Sequence, residues 1–238
     1  MKVRPKPFPA PRNLVATLAQ GRTILRGAWF LIRTHKLVAV AAIGVAAFLF
    51  VLMLPHDREL LDRVHIWRGE AAGTAQKIAY FLGTMGDYPT YNLPLAILLW
   101  FYGVWKKSRA WRRVAVACFL GATLAGLFDD CLRLTLGRAR PDSHMPDAFY
   151  GITYAFKGGF QSFPSGHAAS VFGTAMALLV LEFPLGVLTT LYAVAVVWAR
   201  MELERHYPSD VAVGSIIGIY FGLMVGYGAK ILRPRPHR

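Results

Sequence analysis

The chain has 238 residues, 55% of them hydrophobic, with a mean hydropathy of +0.39; a soluble domain is roughly 45–50% apolar. Its apolar residues fall in blocks of the length that crosses a bilayer, about 18 or more, which excludes an ordinary soluble enzyme. The net charge of +14 does not point to nucleic acid, because the basic excess lies between the apolar blocks.

Residues 1–36 carry eight Lys/Arg and no acid. Pro5, Pro7, Pro9 and Pro11 predict a disordered start. Leu14, Leu18, Leu25, Trp29 and Ile32 then predict an amphipathic helix lying on the membrane, with a solvated basic tail as the plainer reading. The first apolar block begins only at Leu37 and no small-residue cleavage site follows it, which argues against a cleaved signal peptide.

Six spanning helices are expected after that: Leu37–Leu54, Tyr88–Trp105 (interrupted by Pro89 and Pro94), Val114 to about Leu136, Ser165–Leu181, Leu185–Ala199, and Asp210 to about Ala229. The fold class is therefore all-α. A six-transmembrane-helix domain over 37–230 lies between a basic tail with its interfacial helix at 1–36 and a basic tail at 231–238. The mixed-charge connection 55–87 contains a stretch, Glu59 to Leu82, that reads as a re-entrant or interfacial helix. Cys118 and Cys131 fall in one helix about 20 Å apart, too far for a disulfide.

Basic residues mark cytoplasmic loops. With both termini inside, the cytoplasmic pieces hold 17 of the 27 basic residues and one acid, Glu182. Three polar clusters then share the extracytoplasmic side, which in a bacterium is the outer face of the inner membrane.

The first cluster runs from Arg133 through Arg138 and Arg140 to Pro141. Seven residues separate Arg133 from Arg140, a spacing that predicts one helix face, two turns apart, before Pro141 ends the helix. Two guanidiniums there grip an anion or simply snorkel to the headgroups. The second cluster is Pro164-Ser165-Gly166-His167 at a helix start, where free N–H groups bind phosphate or a plain cap suffices. The third is Arg200…His206…Asp210. His206 and Asp210 are four apart, so the carboxylate is expected to accept from one ring nitrogen and leave the other free; a simple cap is the bland alternative. Asp129-Asp130 reads as a partner for nearby arginines rather than a metal site. The aromatic loop with Tyr154, Phe156, Lys157 and Phe160 reads as resting at the interface or touching a headgroup.

Together these segments resemble the type-2 phosphatidic acid phosphatase (PAP2) superfamily. Its three-part signature reads here as Arg133…Arg140-Pro141, Pro164-Ser165-Gly166-His167 and Ala199-Arg200…His206…Asp210. Arg133 stands where the family has Lys, and Ala199 where it has Ser. The resemblance implies a lipid phosphatase acting on a phosphomonoester or diphosphate of a phospholipid, polyprenyl diphosphate or glycolipid. His206 would attack phosphorus to give a phosphohistidine, Asp210 would orient His206, and His167 would be the general acid and base. Arg133, Arg140, Arg200, Ser165 and Gly166 would hold the phosphate oxygens. Neither metal nor other cofactor is implied. The alternatives are a lipid phosphotransferase using the same phosphoenzyme and a non-catalytic lipid-binding or transport relative.

Overall fold

Ten α-helices follow one another in the computed structural model, which describes residues 12–64 and 70–231. They are α1 Arg12–Thr34, α2 Lys36–Met53, α3 Asp57–Val64, α4 Glu70–Met85, α5 Leu93–Trp105, α6 Arg109–Leu136, α7 Ile152–Ala155, α8 Gly166–Leu181, α9 Phe183–Glu202 and α10 Pro208–Ile231. Among the described residues there is no sheet, only an isolated bridge between Arg138 and Phe149. The expected disordered start at 1–11 and most of the C-terminal basic tail lie outside the described residues.

Among the described residues, four helical stretches are long and apolar enough to cross a membrane: Lys36–Val64, α6, α9 and α10. α8 is also apolar but has 16 residues. The segment expected over Tyr88–Trp105 is a π-helical turn, Tyr88–Asn92, running into α5, with Pro89 and Pro94 each in a first turn where no amide is needed. α9 starts earlier than expected because Pro184 also occupies a first turn and so opens the helix rather than preceding it.

α8 is the centre of the bundle. Eleven of its residues, Ala168 to Leu178, are buried. Small residues let its neighbours approach to backbone contact, the usual basis of helix packing in a bilayer. Gly222 of α10 lies against Gly173, where an added Cβ would come 2.6 Å from the Gly173 carbonyl oxygen; Gly214 lies against Ser165, 2.5 Å by the same measure. This glycine stripe holds the start of α10 beside the start of α8. The Ser165 amide donates to the Asp210 carbonyl oxygen at 3.2 Å.

α1 crosses one end of the bundle. Ile24 and Ala28 are buried with Ala117, Val225 and Ala229, while Leu18, Trp29 and Phe30 are exposed. Its polar groups reach α5 and α6: the Trp100 indole donates to Thr17 at 2.8 Å, and Arg112 to Asn13 at 2.6 Å. The connection 55–87 contains α3 and α4. Its end packs on α9, with Gly86 against Val196 and Gly83 against Arg200.

Candidate active site

α6 ends at Gly137, not at Pro141 as expected. Gly137 takes φ +61°, in the left-handed region, and its amide donates back to Arg133 at 3.2 Å, a glycine-terminated helix end. Arg133 and Arg140 therefore do not share a helix face. Arg133 stays on the last turn of α6, and Arg140 reaches the site from an extended segment whose amide donates to the Gly159 carbonyl at 2.8 Å.

The Arg133 guanidinium is ion-paired with Asp130 and has Nε 3.9 Å from buried Asp129. It also borders Gly166, where a Cβ would lie 3.5 Å from Arg133 Nη1. Gly166 opens α8 and His167 follows in its first turn. His167 Nε2 is 3.8 Å from Asp87, the residue that caps the π-helical turn. Arg133, Gly166, His167, Asp87 and Asp130 line one cavity of about 420 Å³.

His206 lies on the loop between α9 and α10 and is buried. Its Nδ1 is 2.7 Å from the Ser162 carbonyl oxygen. A carbonyl only accepts, so Nδ1 carries the proton and Nε2 presents a lone pair. Asp210 is not the hydrogen-bond partner expected from the four-residue spacing. Its Oδ2 is 4.0 Å from Nδ1 and accepts instead from the Tyr207 amide at 2.8 Å and the Ser162 hydroxyl at 2.5 Å. The reason is local. Residue 206 precedes α10 and is not helical, so helical spacing does not apply, and Asp210 in the first turn turns back to satisfy the amide before the helix.

Burial, and after it the charges of Arg200, Arg140 and His167, push the His206 imidazole well below its ordinary value of 6.5. The ring is therefore neutral at neutral pH. A 15N-histidine titration is expected to find it neutral through pH 6.5, protonating only well below. The unfolded chain takes up that proton near 6.5, so His206 is neutral toward stability above this pH and destabilises the fold progressively beneath it. A His206 titration at or above the ordinary value would contradict the geometry.

Arg140 loses basicity through burial and the neighbouring Arg205. Unused donors collect here. Nε of Arg133, Arg140 and Arg200 and Oγ of Ser165 are buried with no hydrogen-bond partner among the described residues. Each such group costs about 1–3 kcal/mol. Four of them beside a helix N-terminus make a cradle suited to an anion with several oxygens.

Sequence reasoning missed the layer behind His206. Arg138 is fully buried. Its Nε and Nη2 each donate to Asp147 at 2.7 Å; Nη1 donates to Asp210 at 2.6 Å and Ser209 at 2.8 Å; Nη2 also donates to Asp57 at 2.8 Å. Burial opposes its charge, but the bonds to Asp147 and Asp57 and the charge of Asp210 outweigh it, and Arg138 holds its proton more tightly than usual. The place of Arg138 one residue past a helix-ending glycine was a usable signal. Asp57, at the end of an apolar block, offered none. In the aromatic loop, Tyr150, Tyr154 and Phe160 pack on one another and Lys157 lies over Tyr154 at 4.4 Å, while Phe156 is exposed.

The PAP2 superfamily model matches residues 114–231. The chain is similar to the lipid A 4'-phosphatase of Bacteroides thetaiotaomicron, 34% identical over 161 residues that cover 65% of this chain and 69% of that one. It is similar also to the lipid A 1-phosphatase of Rhizobium etli, 28% identical over 180 residues, 69% of this chain and 76% of that one. Its fold is that of the PAP2-type phosphatidylglycerolphosphate phosphatase of Bacillus subtilis, with a TM-score of 0.60 and 16% identity over 83% of this chain and 98% of that one.

Proposed function

The chain belongs to the PAP2 superfamily, and from that premise we propose that it hydrolyses a phosphomonoester or diphosphate on a lipid headgroup through a phosphohistidine. The observation that carries this reading is His206: a buried ring whose Nδ1 lies 2.7 Å from the Ser162 carbonyl oxygen, a contact that leaves Nε2 as a lone pair, set among the charges of Arg200 and Arg140.

Nε2 of His206 attacks phosphorus, and the bond from phosphorus to the lipid oxygen breaks. His167 gives that oxygen its proton, then takes one from the water that cleaves the N–P bond and releases phosphate. Arg133, Arg140, Arg200, Ser165 and the amides at Gly166 hold the oxygens as charge spreads over them. Asp210 acts on His206 by its charge and by holding Ser162.

The membrane domain, residues 37–230, spans six times: α2, the Tyr88–Trp105 segment, α6, α8, α9 and α10. α1 lies at the interface with Leu18, Trp29 and Phe30 toward lipid. The basic balance puts both termini in the cytoplasm and the site on the outer face of a bacterial inner membrane.

The test is phosphate release in detergent from a lipid A-type glycolipid, a polyprenyl diphosphate, phosphatidylglycerol phosphate and phosphatidic acid, each with and without EDTA. Release from at least one lipid, surviving EDTA, is expected, with the glycolipid the first choice because of the similar proteins' activities. Failure on all four, or a strict need for Mg²⁺, would overturn the reading.

A further inference from the structure

Asp57 opens α3 and is 1% exposed. It lies outside residues 114–231, the region that carries the family pattern. Oδ1 accepts from the Ser209 amide at 2.9 Å; Oδ2 accepts from the Ser209 hydroxyl at 2.5 Å and from Arg138 Nη2 at 2.8 Å. From there an unbroken series of bonds runs to the ring: Arg138 to Asp210 at 2.6 Å, the Ser162 hydroxyl to Asp210 at 2.5 Å, and His206 Nδ1 to the Ser162 carbonyl at 2.7 Å.

We propose that Asp57 is a positioning residue for His206, acting through Arg138, Asp210 and Ser162; the inference rests on the reading of His206 as the nucleophile. One guanidinium is shared among Asp57, Asp147 and Asp210. Its position is a balance of three pulls, those of Asp57 and Asp210 fully buried at low dielectric, where charge-assisted bonds are strong, and that of Asp147 from the solvent-exposed side. Without the charge of Asp57, Arg138 is drawn toward Asp147, and the grip of Asp210 on Ser162 changes with it. The Ser162 carbonyl then no longer fixes the Nδ1–H tautomer, and part of the population turns an N–H instead of a lone pair toward phosphorus. Arg133, Gly166 and Arg200 stand on α6, α8 and α9, so anion binding is largely spared. The expected signature is a loss in kcat with little change in KM.

Asp57→Asn tests this, because the amide oxygen still accepts from the Ser209 N–H while the charge is gone. Phosphate release, inhibition by vanadate and 15N-histidine spectra would be measured on wild type, Asp57→Asn and His206→Ala. The expected result is a fall in kcat of about tenfold or more, KM and the vanadate inhibition constant within about threefold, and a reduced fraction of Nδ1-protonated His206. A folded Asp57→Asn with kcat within about twofold of wild type, or a loss carried by KM and vanadate affinity, overturns the inference. Should Asp57→Asn not fold, Ser209→Ala removes the hydroxyl that bonds both members of the direct Asp57–Arg138 pair and so loosens the hold of Asp57 on the guanidinium. It is expected to lower kcat at constant KM, and wild-type kcat there would overturn the inference equally. Activity persisting in His206→Ala would instead defeat the nucleophile reading itself.

Discussion

Replacing His206 by alanine is expected to lower kcat by roughly four to six orders of magnitude, the usual consequence of removing a nucleophile from groups that act as a unit. The fold should survive. The ring makes one hydrogen bond, to the Ser162 carbonyl, and leaving that acceptor unmet costs about 1–3 kcal/mol. The contrast with His167→Ala makes the prediction specific. With p-nitrophenyl phosphate the leaving group needs no proton, so His167→Ala should still transfer phosphate to His206. It then lacks the base for hydrolysis, and acid-labile, base-stable labelled protein should accumulate. The double variant should carry no label. Label on a protein that lacks His206, or wild-type turnover in either single variant, would refute the assigned roles.

Replacing Arg138 by methionine is expected to be among the most destabilising single changes available, about 3–5 kcal/mol, the cost of stripping one partner from a buried ion pair. Arg138 is the largest fully buried side chain among the described residues, and Asp57 and Asp210 around it are buried too. Without its charge, the buried carboxylates of Asp57 and Asp210 face each other at low dielectric, with the more exposed Asp147 beside them. Lysine should not restore stability, because a single ammonium cannot reproduce a fork that bonds Asp147 through two nitrogens and reaches Asp57, Ser209 and Asp210 as well. Thermal unfolding in detergent measures this directly. An Arg138→Met protein that melts with wild type would show that the three acids are neutral in the fold, and the account of Asp57 would fall with it.

Much of the fold and of the candidate site was legible in the sequence because it is written in short-range signals. Pro164-Ser165-Gly166-His167 announces a helix start, and α8 does begin at Gly166. The long apolar blocks announce helices, and α2, α6, α9 and α10 lie where they were expected, within a few residues. The errors have a common origin, which is spacing read as though the helix continued. Arg133 and Arg140 looked like two turns of one face, yet a left-handed Gly137 intervenes. His206 and Asp210 looked like a bonded pair, yet the helix begins only at Pro208.

The residue types and their order along the chain were therefore settled by sequence alone: an all-helical, apolar protein with three polar clusters carrying imidazoles, guanidiniums and a carboxylate. Hydrophobic periodicity, helix starts and charge excess are local properties, and a sequence displays local properties directly. Which groups touch was decided only by packing. The glycine stripe of α10 brings Asp210 beside Ser165, the loop carbonyl of Ser162 selects the tautomer of His206, and Asp57 meets Arg138 across 81 positions of chain. Burying an arginine among acids is favourable only when every partner arrives together. That condition is met by the whole fold and by no segment of it.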